Sequence, residues 1–280
     1  MIARISSQLI ASQIHPQVVD WVGRVKLNGG SQPSSKTVTA VNRFYIKLVQ
    51  NDLLTKMKSV CCLVPDNLIA SITPLIRGVG NNPWTNMNFV ASDLTINGLV
   101  GNGTSKYLKT GIIPNSVFSD NNSAGLTLYI HTGGNYESCD IGATDALWTN
   151  SFELFVDYSD GYSYFDCYAL SGGRISGSNS AWTGFLSGNR TASNATIIYK
   201  ANSSTALTTV ASGSNAPTQV RPSYEIYCFA LDVANALSAP LMSARRLSFA
   251  AIHLGLSQAE ANKFYSYIQA LRTELGGGYV

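Results

Sequence analysis

Between about residues 86 and 253, short β-branched and aromatic runs alternate with Gly, Asn, Ser and Asp turn residues at intervals near ten residues. SFELFVDY is followed by SDG, YSYFDCYAL by SGG, and ATIIYK by ANSS and then TALTTV. Evenly spaced short strands with hairpin signals between them predict an antiparallel sandwich or barrel. No helical spacers separate the runs, and a parallel sheet needs such crossovers. The region is therefore expected to be mainly β and antiparallel.

Both flanks of this region carry helix patterns. Pro16 suits a first helical turn, Val18, Trp21, Val22 and Val25 share one face, and Asn28-Gly29-Gly30 stops the helix. After the loop SQPSSK, Val38, Val41, Tyr45, Leu48 and Val49 predict the apolar side of a second helix. The stretch through Pro65 and Pro74 is apolar but broken, consistent with one buried strand and a short helical turn. At the other end, Ser257 and Glu260 form a capping box, Phe264, Ile268, Leu271 and Leu275 make one stripe, and Gly276 supplies the stop. The expected organisation is a helical segment over 1–80, anchoring or packing on the sandwich, and a β-sandwich over 81–280 that closes with a helix at 257–275.

Composition narrows the function. At 45% hydrophobic the chain can bury a full core, and only 12% of its residues are charged, against about a quarter in an average globular chain. A net charge of +3 and no basic run beyond Arg245-Arg246 argue against nucleic-acid binding, which needs a stripe neutralising several phosphates. Residues 1–17 lack the apolar core of a secretory signal, and no run reaches the length of a membrane span. A protein made in a cytoplasm, without membrane insertion, is expected. The five cysteines, with Cys61 and Cys62 adjacent, fit neither a disulfide framework nor a zinc spacing. They are expected as buried free thiols. The sequons at Asn102, Asn194 and Asn202 are read as chance.

Chemistry is sought in the remaining motifs. GLVGNGTSK (98–106) has two glycines at the separation of a phosphate-binding loop, but Lys106 arrives two positions late and a strand-like run follows it. That loop must open a helix, so the stretch is read as a turn with a solvated lysine. Glu153 and Asp157 fall on one face of one predicted strand, roughly 13 Å apart at about 3.3 Å per residue. Glycosidase carboxylates stand about 5 to 9.5 Å apart, so this pair is rejected, and Glu137, Asp140 and Asp145 are read as solvated turn residues. The three histidines are scattered, no Ser-nucleophile signature occurs, and no Ca²⁺ loop spacing is present. No catalytic, cofactor-binding or metal residue is expected. Tyr136, Trp148, Tyr158, Tyr162, Tyr164 and Trp182 fall in and around predicted loops. Sugars stack on such rings, and Trp148, Trp182, Tyr136 and Tyr162 are the candidate glycan contacts.

Several runs resemble a known family. NFVASDLTINGLVGNGTSKYLKTGIIP with SAGLTLYI looks like the entry strands of concanavalin A-like (laminin G-like) sandwiches encoded by tailed bacteriophages. GFLSGNRTASNATIIYKANSS resembles their middle hairpins, and LSFAAIHLGLSQAEANKFYSYIQALRTELGG their last strand and helix. TAVNRFYIKLVQNDLLTKMKSVCCLVPDNLIASITPLI is similar to the lead-in these proteins carry. The likeness spans about residues 15–278 and departs at Leu254, where the family's glycine follows more directly. It implies a jelly-roll sandwich in a non-enzymatic structural component of the virion, at the tail, fibre or capsid surface. Its implied partners are other virion proteins and further copies of itself, with host surface glycans bound weakly. A dedicated carbohydrate-binding receptor protein is the alternative, and a polysaccharide hydrolase stands behind it.

Overall fold

The computed structural model describes residues 14–77, 83–202, 206–218, 220–237 and 241–278. The expected boundary at 80/81, the leader reading of residues 1–13 and the end of the Asn202 sequon lie outside the described residues.

Helix α1 (Pro16–Leu27) buries Val18, Trp21 and Val25. Helix α2 (Ser35–Gln50) starts under the Ser34 side chain, which accepts from Thr37 N. It buries Val41, Phe44, Tyr45 and Leu48, while Val49 is exposed; at 3.6 residues per turn Phe44, not Val49, completes that face. Strand β1 (Met57–Cys62) and the short helix α3 (Leu68–Ile72) follow.

The next strands are β2 (Thr85–Met87), β3 (Leu94–Thr95), β4 (Gly98–Val100) and β5 (Tyr107–Lys109), and then comes helix α4 (Pro114–Val117). Beyond it lie β6 (Ala124–Ile130), β7 (Ile141–Thr144), β8 (Ser151–Phe155), β9 (Tyr162–Cys167), β10 (Arg174–Ser178) and β11 (Gly184–Ala192). The chain continues through β12 (Ala195–Ala201), β13 (Thr208–Gly213), β14 (Tyr227–Cys228), β15 (Leu231–Val233), β16 (Ala236–Leu237) and β17 (Arg246–His253), and helix α5 (Gln258–Leu275) ends it.

The strands form two sheets. The first runs β13-β12-β11-β6-β17-β4-β3, with β1 also paired to β17; the second runs β10-β9-β8-β7-β14-β5-β2, with β15 and β16 beside β7. The strand pairs are antiparallel except β15 with β7. The protein is mainly β, a two-sheet sandwich with a few helices.

Leu126, Leu128 and Ile130 of β6 point into the core between the sheets, with Leu154, Phe165 and Leu186. Tyr129 points the other way, into a second core with Phe185, Phe249 and the helical residues Trp21, Phe44, Phe264 and Leu271. Every residue of β6 is buried because helices cover one face of its sheet and the second sheet covers the other. The N-terminal stretch is tied into this arrangement: β1 pairs with β17, and Trp21 Nε1 and Tyr45 Oη donate to the carbonyls of Thr73 and Leu75.

GLVGNGTSK holds β4 and the turn leading to β5. Gly98 has φ +118°, and a Cβ there would lie 2.2 Å from the Leu247 carbonyl oxygen. Asn102 Oδ1 accepts from the backbone amides of Thr104, Ser105 and Lys106. Lys106 is not solvated as expected: its ammonium lies 2.6 Å from Asp93 Oδ1. All five cysteines are free and buried, with Cys61 and Cys62 pointing into opposite cores. Among the described residues no helix is long and apolar enough to cross a membrane.

Candidate functional site

The outer face of the second sheet carries a small aromatic pocket. Strand β8 reads Ser-Phe-Glu-Leu-Phe, and its alternation sends Phe152 and Leu154 inward and Glu153 and Phe155 outward. On β9, Phe165 and Cys167 point inward, while Tyr162, Tyr164 and Asp166 face out beside them. The outward row is closed by Trp148 and Leu241 from loops, and a pocket of about 190 Å³ lies between Trp148, Phe155, Tyr158, Tyr164, Arg174 and Leu241, with Asp160 at its rim.

The rings of Phe155, Tyr158 and Tyr164 meet edge to face, with centroids 5.7, 6.2 and 6.1 Å apart. Arg174 donates twice to Asp166, Nε to Oδ1 at 2.8 Å and Nη2 to Oδ2 at 2.6 Å. Its guanidinium carbon also stands 4.6 Å from the Tyr164 ring centre. Tyr164 Oη donates to Asp160, and Tyr158 Oη donates to Glu137 Oε1 at 3.1 Å. Burial and the Asp160 carboxylate push the Tyr164 phenol up to about 12.

Trp148 reaches the pocket from a strained turn. Its φ is +57°, a left-handed conformation that costs a non-glycine residue roughly 1–2 kcal/mol. The Asp145 carboxylate holds the turn by accepting from the amides of Leu147, Thr149 and Asn150 at 3.1, 2.8 and 3.1 Å. An outlier kept in place by its surroundings marks a position where geometry matters more than local ease.

The four residues expected as glycan contacts do not gather in one place. Trp148 lines the pocket, and Tyr162, 43% exposed, flanks it through Tyr164 at 6.4 Å between rings. Tyr136 covers the Arg245 guanidinium at 4.9 Å, and Trp182 is half-buried under Lys200 with its indole N–H donating to Phe185 O at 3.3 Å. Phe155, Arg174 and Leu241 were missed. The first reads as core in any alternating strand, and the others join only through the β10 pairing and the loop after β16.

The carboxylates are rearranged relative to expectation. Asp157 lies beyond the end of β8, not on one strand face with Glu153, and pairs with Arg245. Asp140, expected solvated, is fully buried and accepts from Arg245 Nη1 at 2.9 Å and from Ser243 Oγ at 2.7 Å. This core of one arginine and two carboxylates pins loops 131–139 and 157–161: Arg245 Nη2 also donates to Gly134 O at 2.7 Å, and Trp182 N donates to Asp157 Oδ2 at 2.8 Å. Burial raises Asp157 to about 6 even though Arg245 pulls it down.

A different pair comes together. Glu153 stands directly opposite Asp166 on the neighbouring strand, and both are fully buried under the pocket floor. Residues so placed have Cβ atoms about 4.5–5.5 Å apart. Burial, and then the Asp166 charge, hold the Glu153 carboxyl well above its ordinary range; burial lifts Asp166 to about 6 against the pull of Arg174. Neither Glu153 oxygen has a hydrogen-bond partner of ordinary geometry. Burial thus favours the protonated form of Glu153, while Asp166 accepts both donors of Arg174.

No protein-family model matches the sequence, and no curated protein matches it. Similar solved structures include a GH54 α-L-arabinofuranosidase soaked with a cyclic sulfate inhibitor, 12% identical over 66% of this chain and 45% of that one, with a TM-score of 0.36. A mutant of Trypanosoma rangeli sialidase displaying trans-sialidase activity is 12% identical over 81% of this chain and 39% of that one, at 0.47. A mutant of the GH43 protein BlXynB from Bacillus licheniformis is 12% identical over 71% and 39%, at 0.31. The chain spans less than half the length of each of these structures. The expectation of a non-enzymatic protein is corrected to the extent that the matched structures include glycoside hydrolases and a sialidase. At such identity and TM-score the likeness transfers no activity.

Proposed function

We propose that the protein binds carbohydrate, with the aromatic pocket on the second sheet holding one sugar ring. The observation that carries this is the joining of Trp148, Tyr158 and Tyr164 to two oriented polar groups, Arg174 and Asp160, in one concave site. Rings of this kind offer an apolar face to the C–H side of a pyranose while the polar groups meet its hydroxyls. At about 190 Å³ the pocket is below the roughly 300–1,000 Å³ of drug-sized ligand sites, which suits one ring. Isothermal titration with sugars found on a glycan array tests the reading. Trp148→Ala is expected to weaken binding about tenfold, the loss of about 1.4 kcal/mol of stacking and burial, with the circular dichroism spectrum unchanged. Equal affinity of variant and wild type would remove the pocket from consideration.

Hydrolysis in the same pocket is the second reading; Asp160 is the carboxylate that lines the pocket, while Glu153 and Asp166 are fully buried outside its lining. Release of reducing sugar from polysaccharides by the wild type, lost in Asp160→Asn, would support it. The sandwich is proposed to be a concanavalin A-like jelly roll displayed on a tailed-phage virion. The sequence resemblance over residues 15–278 and the low-charge, Ser/Thr/Asn-rich composition support that placement, with other virion proteins and further copies of the chain as partners. Stoichiometric presence in purified particles by mass spectrometry is the expected result, and absence would end the proposal.

A further inference from the structure

We propose that the aromatic pocket is the terminal subsite of an extended cleft for a neutral oligosaccharide, whose following units lie in the groove between the edges of the two sheets. This rests on the reading of the pocket as a sugar site. Arg174 joins the two spaces: it lines the pocket and also a groove of about 730 Å³ that runs past β10 toward β12 and β13. The pocket has room for one ring, and the groove is nearly four times as large.

The chemistry of the groove selects its occupant. Ser176, Thr191, Asn194, Thr196, Ser212 and Asn215 line it, each offering hydroxyl or amide groups that donate or accept. Its charged side chain is Arg174, whose guanidinium is already paired with Asp166. An anionic polymer would find no row of cations to release its counterions, and Ile175, Ala195, Ile197 and Tyr199 add apolar surface beside these polar groups, as the C–H faces of a sugar chain require. A chain of hydroxyls fits.

The architecture also opposes a peptide. β10 and β13 are the edge strands of their sheets, and an exposed edge recruits extended peptides by strand addition. Here the two edges abut: a Cβ on Gly177 of β10 would lie 2.2 Å from the Val210 carbonyl oxygen of β13. A glycine is required at that seam, and a strand cannot be laid along either edge through it. The groove is the space left beyond the seam, and it opens onto Arg174.

Titration with ladders of glucose, galactose, mannose and xylose oligosaccharides, one to five units long, tests the proposal. Affinity is expected to rise at least tenfold between one unit and three or more. In the double variant Asn194→Ala/Asn215→Ala that increment is expected to vanish while single-unit binding stays at the wild-type value. Retained single-unit binding with no dependence on length overturns the cleft and leaves the pocket standing. Absence of binding at every length overturns both readings. Binding of a neutral extended decapeptide in place of every sugar assigns the groove to strand addition and overturns the proposal too.

Discussion

Glu153 shows how one residue's chemistry depends on its neighbour across the sheet. In the sequence it is one of several carboxylates; in the fold it is fully buried directly opposite Asp166. Its folded carboxyl holds a proton more tightly than the unfolded chain does, because burial and then Asp166 raise it above the ordinary 4.5. Stability supplied by that proton is complete below 4.5 and drains away as pH rises toward the folded value. Glu153→Gln keeps the shape and removes the titration. The melting temperature of the variant minus that of the wild type is expected to grow by several degrees from pH 4.5 to 8. Parallel melting curves would show that the carboxyl ionises freely in the folded state.

Among the elements, the turn between β7 and β8 governs the pocket. Asp145 accepts from three backbone amides and from the side chains of Thr149 and Asn150, at 2.5 and 2.7 Å, and so keeps Trp148 in its left-handed conformation. Asp145→Ala leaves those donors to water and frees the turn. The expected cost is about 1–3 kcal/mol of stability, together with a loss of sugar affinity close to that of Trp148→Ala. A stability loss with unchanged affinity would show that the indole finds its place without the turn. The C-terminal helix is the contrasting element. Ser257 N donates to Glu260 Oε2 at 2.9 Å and Gly276 closes the helix, as their sequence spacing predicts. That legibility follows from locality, since a cap is made within four residues and needs no partner elsewhere. The Arg174–Asp166 clasp is local too, eight residues apart, yet only the hairpin pairing of β9 with β10 turns both side chains outward.

On the scale of the molecule, the central strands β6 and β17 of the first sheet are buried on both faces, and this couples the chain's ends. Phe44 of α2, Phe249 of β17 and Phe264 of α5 form one aromatic cluster, with centroids 5.9 to 6.4 Å apart. Removing residues 1–52 would take Phe44 away from Phe249 and Phe264, on which it packs, and with it the other buried side chains of α1 and α2. At about 25 cal/mol per Å² of apolar surface, roughly 200–600 Å² newly exposed would equal the whole 5–15 kcal/mol by which domains are stable. The truncated chain is expected to aggregate or fail to show a cooperative melt. A monodisperse, cooperatively folding 53–280 fragment would show that the N-terminal helices are a dispensable attachment.

Period-two alternation and turn residues, repeated every ten positions, determined the β class, and the capping box determined the last helix, because both signals are written within a few residues. The indole of Trp148 was a candidate for the same reason, whereas Tyr158 and Tyr164 were visible only as rings near predicted loops and were not among the four candidate contacts. Only the tertiary structure decided that Glu153 meets Asp166 and not Asp157, that Asp140 and Arg245 are interior, and that Trp182 and Tyr136 stand apart from the pocket. These outcomes depend on which strand lies beside which and on what covers each face. Pairing across 13 residues for Glu153 and Asp166, and 105 for Asp140 and Arg245, is set by the packing of two sheets, and no local pattern carries it.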